Sequence, residues 1–303
     1  MQHSLNIWKV TDGKPGHESQ TDGLIAAIRA LRGVTETIIH VNKRPNIFPM
    51  FFCWLFRNRP SVFPAGTPDL IIGAGHRTHS WLLLARSLCG GKTIVLMKPS
   101  LPLKRFDYVV VPKHDYVQPR ANVIETKGML NAVTFVLEKD LQKGLMLIGG
   151  KSKHYEWDGS RIATQVKKIV DQDKKVRWTL TTSRRTPESF LQLLEGLEIE
   201  IVPFEETDVT WLLELYKASG KIWVTPDSVS MVYESLSSGA MTSVFSLAPS
   251  KAPSRVRNGL EQLMKNTLVG SFDALEDGLI REQAPSEFNE SERVANIILD
   301  DIT

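Results

Sequence analysis

The chain has little cysteine. Its two residues, Cys53 and Cys89, stand far apart in apolar surroundings. That excludes a disulfide framework and the paired spacing of a zinc site, and fits a reducing compartment. Long apolar runs are lacking too, with no stretch near the roughly 18 residues that a membrane-spanning helix requires. The N-terminus turns polar within a few residues and runs into a strand, so no secretory signal is expected and the chain reads as cytoplasmic. Charge of one sign is not in excess. The 37 basic and 34 acidic residues leave a formal net charge of +3, too mild to argue for a nucleic-acid partner.

A local absence matters more. From Thr37 through Pro68 there is no Asp or Glu. Within that span "KRPNIFPMFFCWLFRNR" sets Phe48, Phe51, Phe52, Trp54 and Phe56 between Lys43 and Arg44 on one side and Arg57 and Arg59 on the other. One reading is a helix packed into the N-terminal core with its cationic ends in water. Another is a patch, Lys43–Arg59, facing an anionic membrane, which would hold the chain peripherally at its inner face. A protein-contact surface is a third.

What is present is an ordinary globular composition, 42% hydrophobic and 23% charged, over 303 residues, a length comfortable for two domains. Short apolar runs read as strands, among them Leu5–Val10, Thr37–Val41, Asp69–Ile72, Thr93–Met97, Tyr108–Val111, Leu145–Ile148, Arg177–Thr181 and Ile222–Thr225. Amphipathic stretches such as Gly23–Leu31, Thr78–Leu88, Arg161–Val170, Glu188–Leu194 and Val229–Ser237 lie between them. The alternation predicts an α/β protein of parallel sheets with crossover helices. The boundary is expected near Glu138–Gly144, where "LEKDLQKG" reads as polar and helical before the fresh strand "LMLIGG". That gives an N-terminal domain over residues 1–140 and a second over 141–288. In residues 289–303, a helix over Ser291–Asp300 could cross back to the first.

In open parallel sheets, ligands bind outside the carboxyl ends of strands, where strand order reverses. The polar and glycine-rich clusters of this chain all follow a predicted strand and open into a helix. They are Thr11-Asp12-Gly13-Lys14-Pro15-Gly16-His17, "GAGHRT" (Gly73 to Thr78), Lys98-Pro99, Gly149-Gly150-Lys151-Ser152, "TTSRRT" (Thr181 to Thr186) and Thr225-Pro226-Asp227-Ser228-Val229-Ser230. Together they predict a cleft between two domains. In "TPDSVSMVYESLSSG", Asp227, Ser230 and Glu234 share one helix face. Ser228 or Asp227 is expected to cap that helix, whose free N–H groups suit a diphosphate. Glu234 could accept from the two hydroxyls of a ribose, and Arg184 and Arg185 could offset the diphosphate charge. A capped surface helix with a solvated Glu is the competing reading. On the N-terminal side, Gly75 allows close backbone approach while His76 and Arg77 would project toward the cleft, with Thr78 opening the helix and Lys98 a candidate cation. His79 reads as structural. Neither a DxD pair at a strand end nor a His/Asp metal cluster is present, so no bound metal or cofactor is expected.

"DGKPGHESQ", "PDLIIGAGHRT", "FDYVVVPKHD", "LIGG", "LTTSRRTP" and "VTPDSVSMVYESLSSG", in this order, resemble the family named after the mitochondrial-fission, elongated-mitochondria protein. The resemblance covers roughly Ile7 to Gly239. It implies a GT-B glycosyltransferase-like architecture, two Rossmann-like domains facing a cleft, with the nucleotide sugar in the C-terminal one. The opening stretch is also similar to the glycine-rich loop of the lipid-II-forming N-acetylglucosaminyltransferase, with Gly16-His17 at that loop's Gly-His position and Glu234 at the ribose-binding Glu. It departs in Lys14-Pro15, where glycines would be expected. The resemblance implies transfer of a sugar from a nucleotide-diphosphate donor to an envelope-glycan or lipid-linked acceptor. His17 would be the general base and Asp12 its orienting partner or an acceptor contact. Gly149, Gly150, Lys151, Ser183, Arg184, Arg185, Ser228, Val229 and Ser230 would hold the diphosphate. Gly13, Gly16, Gln20, Gly75, His76, Arg77, Thr78 and Lys98 would line the acceptor side. A nucleotide-sugar epimerase or hydrolase on the same fold, or a non-enzymatic membrane-associated scaffold, are the alternatives.

Overall fold

The computed structural model describes residues 4–41, 47–115, 117–278 and 288–302. In chain order the elements are β1 (Leu5–Thr11), α1 (Pro15–Leu31), β2 (Val34–His40), α2 (Ile47–Leu55), β3 (Leu70–Ala74), α3 (His79–Cys89), β4 (Lys92–Leu96), β5 (Tyr108–Pro112) and β6 (Val123–Thr126). There follow β7 (Asp140–Leu147), α4 (Gly159–Gln172), β8 (Arg177–Thr181), β9 (Glu200–Val202), α5 (Val209–Ala218), β10 (Ser219–Val224), α6 (Val229–Ser237) and β11 (Met241–Val244). The last are α7 (Arg255–Lys265), β12 (Gly270–Ser271), α8 (Phe272–Glu276) and α9 (Glu290–Ile302). Two compact units result, Met1–Ala132 with Glu290–Thr303, and Val133–Asn289. Each holds a six-stranded sheet whose strand pairings are all parallel. The α/β architecture expected from the alternating pattern is therefore present.

The first sheet runs β2-β1-β3-β4-β5-β6 and the second β12-β11-β10-β7-β8-β9. Order reverses between β1 and β3 in the first and between β7 and β10 in the second. Much of each inner strand is apolar, as in β3, β4 and β5, as expected where helices cover both faces of a parallel sheet. In β1, Ile7 packs with Leu24, Ile25 and Ile28 of α1 and with Val294, Ala295 and Ile298 of α9. Its neighbours Trp8 and Val10 face the opposite side, with Leu82 and Ala85 of α3 and with Phe63. Lys9, buried within the same strand, pairs its ammonium with Asp22 of α1.

The structure departs from the expected elements in four places. Helix α1 begins at Pro15, eight residues before Gly23. Lys14 is its extended N-cap, and Pro15 occupies the first turn, where a missing N–H costs nothing. Gly16, His17 and Gln20 are therefore helical rather than part of a loop. The polar stretch Asp140–Gly144 is the start of β7, not helix, because it pairs with Ser219–Lys221 of β10. Glu188–Leu194 is a 3-10 helix. Finally, α2 forms but is not buried in the core. Phe51, Phe52, Trp54, Leu55 and Phe56 are all exposed, and Cys53 is the described side chain of α2 that packs on the body. Arg59 does not point outward with them. Its guanidinium stacks 5.2 Å over the Trp8 ring and donates to the carbonyls of Pro64 and Gly66. Lys43, Arg44 and the side chain of Phe48 lie outside the described residues.

The segment before Ala132 crosses α1 at close range. A Cβ on Gly23 would stand 2.2 Å from the Asn131 carbonyl oxygen. Ser291 of α9 fixes that segment, donating to the Asn131 carbonyl at 2.9 Å and accepting its N–H at 3.3 Å. Gly23→Ala is expected to destabilise by about 1–3 kcal/mol in urea unfolding, since backbone rather than a flexible tip must move. Gly33→Ala, whose new methyl meets nothing nearer than 3.6 Å, should stay within about 0.5 kcal/mol of the parent.

Candidate functional site

Where the first sheet reverses, the loops after β1 and β3 leave in opposite senses, and Val10 stands in register with Gly73. Gly75 adopts a left-handed φ of +83°, and a Cβ there would lie 2.2 Å from His17 Cε1. The imidazole thus lies directly against the Gly75 backbone. His17 Nδ1 is 2.8 Å from Asp12 Oδ1, a carboxylate wholly shielded from solvent, whereas the His17 side chain keeps 17% of its surface. A carboxylate only accepts, so this contact assigns the proton to Nδ1 and leaves Nε2 as the acceptor. Burial works to raise Asp12, but the hydrogen bond and charge of His17, with help from Lys14, hold it below the usual carboxylate range. Asp12 Oδ2 is buried without a partner. The structure therefore brings Asp12, His17, Gly75 and the exposed backbone of Gly13 and Gly16 to one spot.

Two expected acceptor-side residues turn away from it. Thr78 is fully buried, its hydroxyl donating to the carbonyls of Gly75 at 2.8 Å and Ala74 at 3.3 Å, so it shapes the turn instead of facing outward. Gln20 is buried on α1 and its amide donates to the Gly16 carbonyl at 3.2 Å. Of the others, His76 is exposed and Arg77 half-buried on the β3–α3 loop. Lys98, also exposed, follows β4 and donates to the Asp115 carbonyl at 3.2 Å. His79 is structural, buried and within 3.2 Å of Ser100 Oγ.

The second sheet reverses between β7 and β10, and there the loops interlock. The Gly149 N–H donates to Thr225 Oγ1 at 2.7 Å, and the Gly150 N–H donates to Asp227 Oδ2 at 3.0 Å. Arg185 reaches the same Oδ2 at 2.8 Å and the Lys151 carbonyl at 3.1 Å. Side chains are excluded at both glycines. A Cβ on Gly149 would meet the Asp227 carboxylate at 2.4 Å, and one on Gly150 would meet the Arg185 carbonyl at 2.0 Å. The Thr186 hydroxyl closes the corner by donating to the carbonyls of Ile148 and Gly149. Ser183 supports this turn through the Arg185 N–H and Thr186, while Arg184 stacks 5.2 Å over Phe204.

The expected cap on α6 is not made. Ser228 is the N-cap, but its side chain makes no hydrogen bond into the first turn, and the neighbouring Asp227 turns its Oδ2 to Gly150 and Arg185. The N–H groups of Val229, Ser230 and Met231 precede the first helical bond, from Val232 N–H to the Ser228 carbonyl at 3.2 Å. Free N–H groups and the positive end of the helix dipole suit such a terminus to an anion. Further along α6, Glu234 accepts from the buried Tyr216 hydroxyl at 2.9 Å. Burial pushes Glu234 up to about 7 against the opposing pull of that hydrogen bond. It is thus a half-buried acid, not the solvated glutamate of the competing reading. Beside this corner, His154 contacts Ser254 at 2.7 Å. Burial and the charges of Lys153, Arg185 and Arg257 lower its pKa. Asp227, expected only as a helix cap, and Thr186, Thr225 and His154 are not among the expected catalytic or ligand-contacting residues. The first three lie inside the quoted clusters, whereas His154 has no local signal.

Residues 15–302 match the family model described as mitochondrial fission ELM1. The chain belongs to that family. RP120 from Rickettsia prowazekii (strain Madrid E), itself uncharacterized, is 22% identical over 97% of this chain and 98% of its own. Among solved structures the chain is similar to the UDP-GlcNAc 2-epimerase of Neisseria meningitidis bound to UDP-GlcNAc, with TM-score 0.51 and 12% identity over 98% of this chain and 99% of that one. It is also similar to the E. coli heptosyltransferase WaaC with ADP, with TM-score 0.50 and 11% identity over 98% and 99%. These likenesses establish the GT-B fold.

The raised Glu234 has a signed consequence. A carboxyl whose folded pKa lies above its unfolded value of 4.5 contributes most below pH 4.5, and that contribution is lost as pH climbs through about 7. Glu234→Gln keeps an acceptor for Tyr216 and removes the buried charge. It should raise Tm at pH 8 by roughly 2–4 °C for each kcal/mol recovered, with the gain vanishing near pH 4.5. A gain independent of pH would show that Glu234 titrates normally.

Proposed function

We propose that this protein is a glycosyltransferase that moves a sugar from a nucleotide-diphosphate donor to an envelope-glycan or lipid-linked hydroxyl. The observation that carries the reading is the uncapped N-terminus of α6 at the strand reversal of the second sheet. A diphosphate there would accept from the N–H groups of Val229, Ser230 and Met231, with Arg185 and Lys151 on the flanking loops supplying positive charge. Glu234, nearly two turns into the same helix, would accept from the ribose hydroxyls once ionised. GT-B proteins with UDP-GlcNAc or ADP bound support a nucleotide ligand for the fold.

In the first unit, His17 would act as general base. Asp12 holds Nδ1–H, so Nε2 takes the proton of the acceptor hydroxyl as its oxygen bonds to the anomeric carbon. The bond from that carbon to the diphosphate oxygen breaks, and its electron pair leaves on the diphosphate. The helix dipole and cationic side chains stabilise that charge without a metal ion. A lipid-linked acceptor would require the protein to work at a membrane surface.

A thermal-shift panel of nucleoside diphosphates and their sugars tests the donor site. A ligand present at a hundred times its Kd should stabilise the fold by about 2.7 kcal/mol. The shift should disappear in Glu234→Ala and persist in His17→Ala, which instead should lose about 10²–10⁴ in turnover. Turnover should be unaffected by EDTA. No shift with any of the panel at millimolar concentration would end the proposal, and release of free sugar at full rate without acceptor would replace it with an epimerase or hydrolase.

A further inference from the structure

Helix α2 and the residue just after it carry five exposed apolar side chains. Phe51, Phe52, Trp54, Leu55 and Phe56 keep 49, 52, 53, 51 and 69% of their surface in solvent. The four aromatic rings pack on one another, with ring centroids at 6.2 Å for Phe51–Phe52, 6.0 Å for Phe51–Trp54 and 5.9 Å for Phe52–Phe56. An apolar patch of this size on a water-facing helix marks a contact surface. The helix has nine residues, too few to cross a bilayer, and its Phe, Trp and Leu are the side chains favoured at the headgroup boundary.

Charge selects among the possible occupants. No carboxylate occurs from Thr37 through Pro68, Lys43 and Arg44 precede α2 in the sequence, and Arg57 follows it exposed. A second copy bound face to face would set Arg57 against its own counterpart with no carboxylate from this stretch to pair it, as two-fold symmetry requires. An anionic phospholipid headgroup layer would neutralise it while the rings entered the acyl boundary. We infer that α2 is a monotopic membrane anchor that lays its Phe51–Phe56 face on an anionic phospholipid surface. The anchor is consistent with the lipid-linked acceptor proposed above but does not depend on it, because nothing in its test requires sugar transfer.

The test is co-sedimentation of the full chain with vesicles of phosphatidylcholine alone and of phosphatidylcholine with phosphatidylglycerol. Binding is expected to the mixed vesicles, to weaken with salt, and to fall at least about tenfold in Phe52→Ser/Phe56→Ser. These residues are solvent-facing, so the double variant should keep its Tm and any nucleotide-induced thermal shift, which separates loss of the anchor from loss of the donor site or the fold. Brominated acyl chains should quench tryptophan emission in the parent and much less in Trp54→Phe. Equal vesicle binding by parent and double variant, or no binding by the parent, would overturn the inference. So would a parent dimer that the double variant abolishes while neither form sediments with vesicles.

Discussion

A wholly parallel sheet places every strand's carboxyl end on one edge. Where strand order reverses, the two adjoining loops must part to reach helices on opposite faces. This constraint falls once in each unit, between β1 and β3 and between β7 and β10. The residues with the most specific chemistry collect at those two gaps, and the glycines there are steric requirements. Gly75 leaves room for the His17 ring, Gly149 for the Asp227 carboxylate, and Gly150 for the Arg185 backbone. None of the three can gain even a methyl group without moving the side chain or loop it faces.

Two carboxyls near these gaps are raised by the same kind of burial but end on opposite sides of the usual range because their partners differ. Desolvation raises both Asp12 and Glu234. Asp12 has a hydrogen bond and the charge of His17 to offset it and remains ionised, which suits a group that orients an imidazole. Glu234 has only the neutral Tyr216 hydroxyl, and its pKa stays near 7. The neutral partner is what makes Glu234 sensitive to any ligand that brings further hydrogen-bond donors, since these favour the charged form.

The sheet architecture was legible because inner parallel strands are continuous apolar runs, as in "LIIGA" at β3, and local composition is enough to find them. The start of β7 was not, because Asp140–Lys143 is polar and exposed and becomes strand only through its distant partners in β10 and β8. Helix α6 was read to the residue, yet its capping was not. The cap depends on whether Asp227 finds Gly150 and Arg185, residues far away in sequence. Position alone puts Thr78 and Gln20 on the acceptor side, but their hydroxyl and amide find nearer acceptors in their own turns. Spacing locates such a residue at a strand end or on a helix. It does not reveal which way a short polar side chain resolves its hydrogen bonds.

Lys14-Pro15, the departure from the glycine-rich pattern of the similar loop, separates the two helix N-termini in kind. Pro15 offers no N–H, and the N–H groups of His17 and Glu18 both turn back to the Lys14 carbonyl at 2.9 and 3.0 Å. The start of α1 is therefore a poor cradle for an anion, whereas the uncapped first turn of α6 leaves three consecutive N–H groups before its first helical bond. What α1 contributes is a side chain. Its proline fixes the first turn so that His17 lies across Gly75 with Nδ1 on Asp12. In the proposed glycosyltransferase, proton transfer would fall to the first unit and anion binding to the second, a division that follows from one imino acid at the head of α1 and an absent cap at the head of α6.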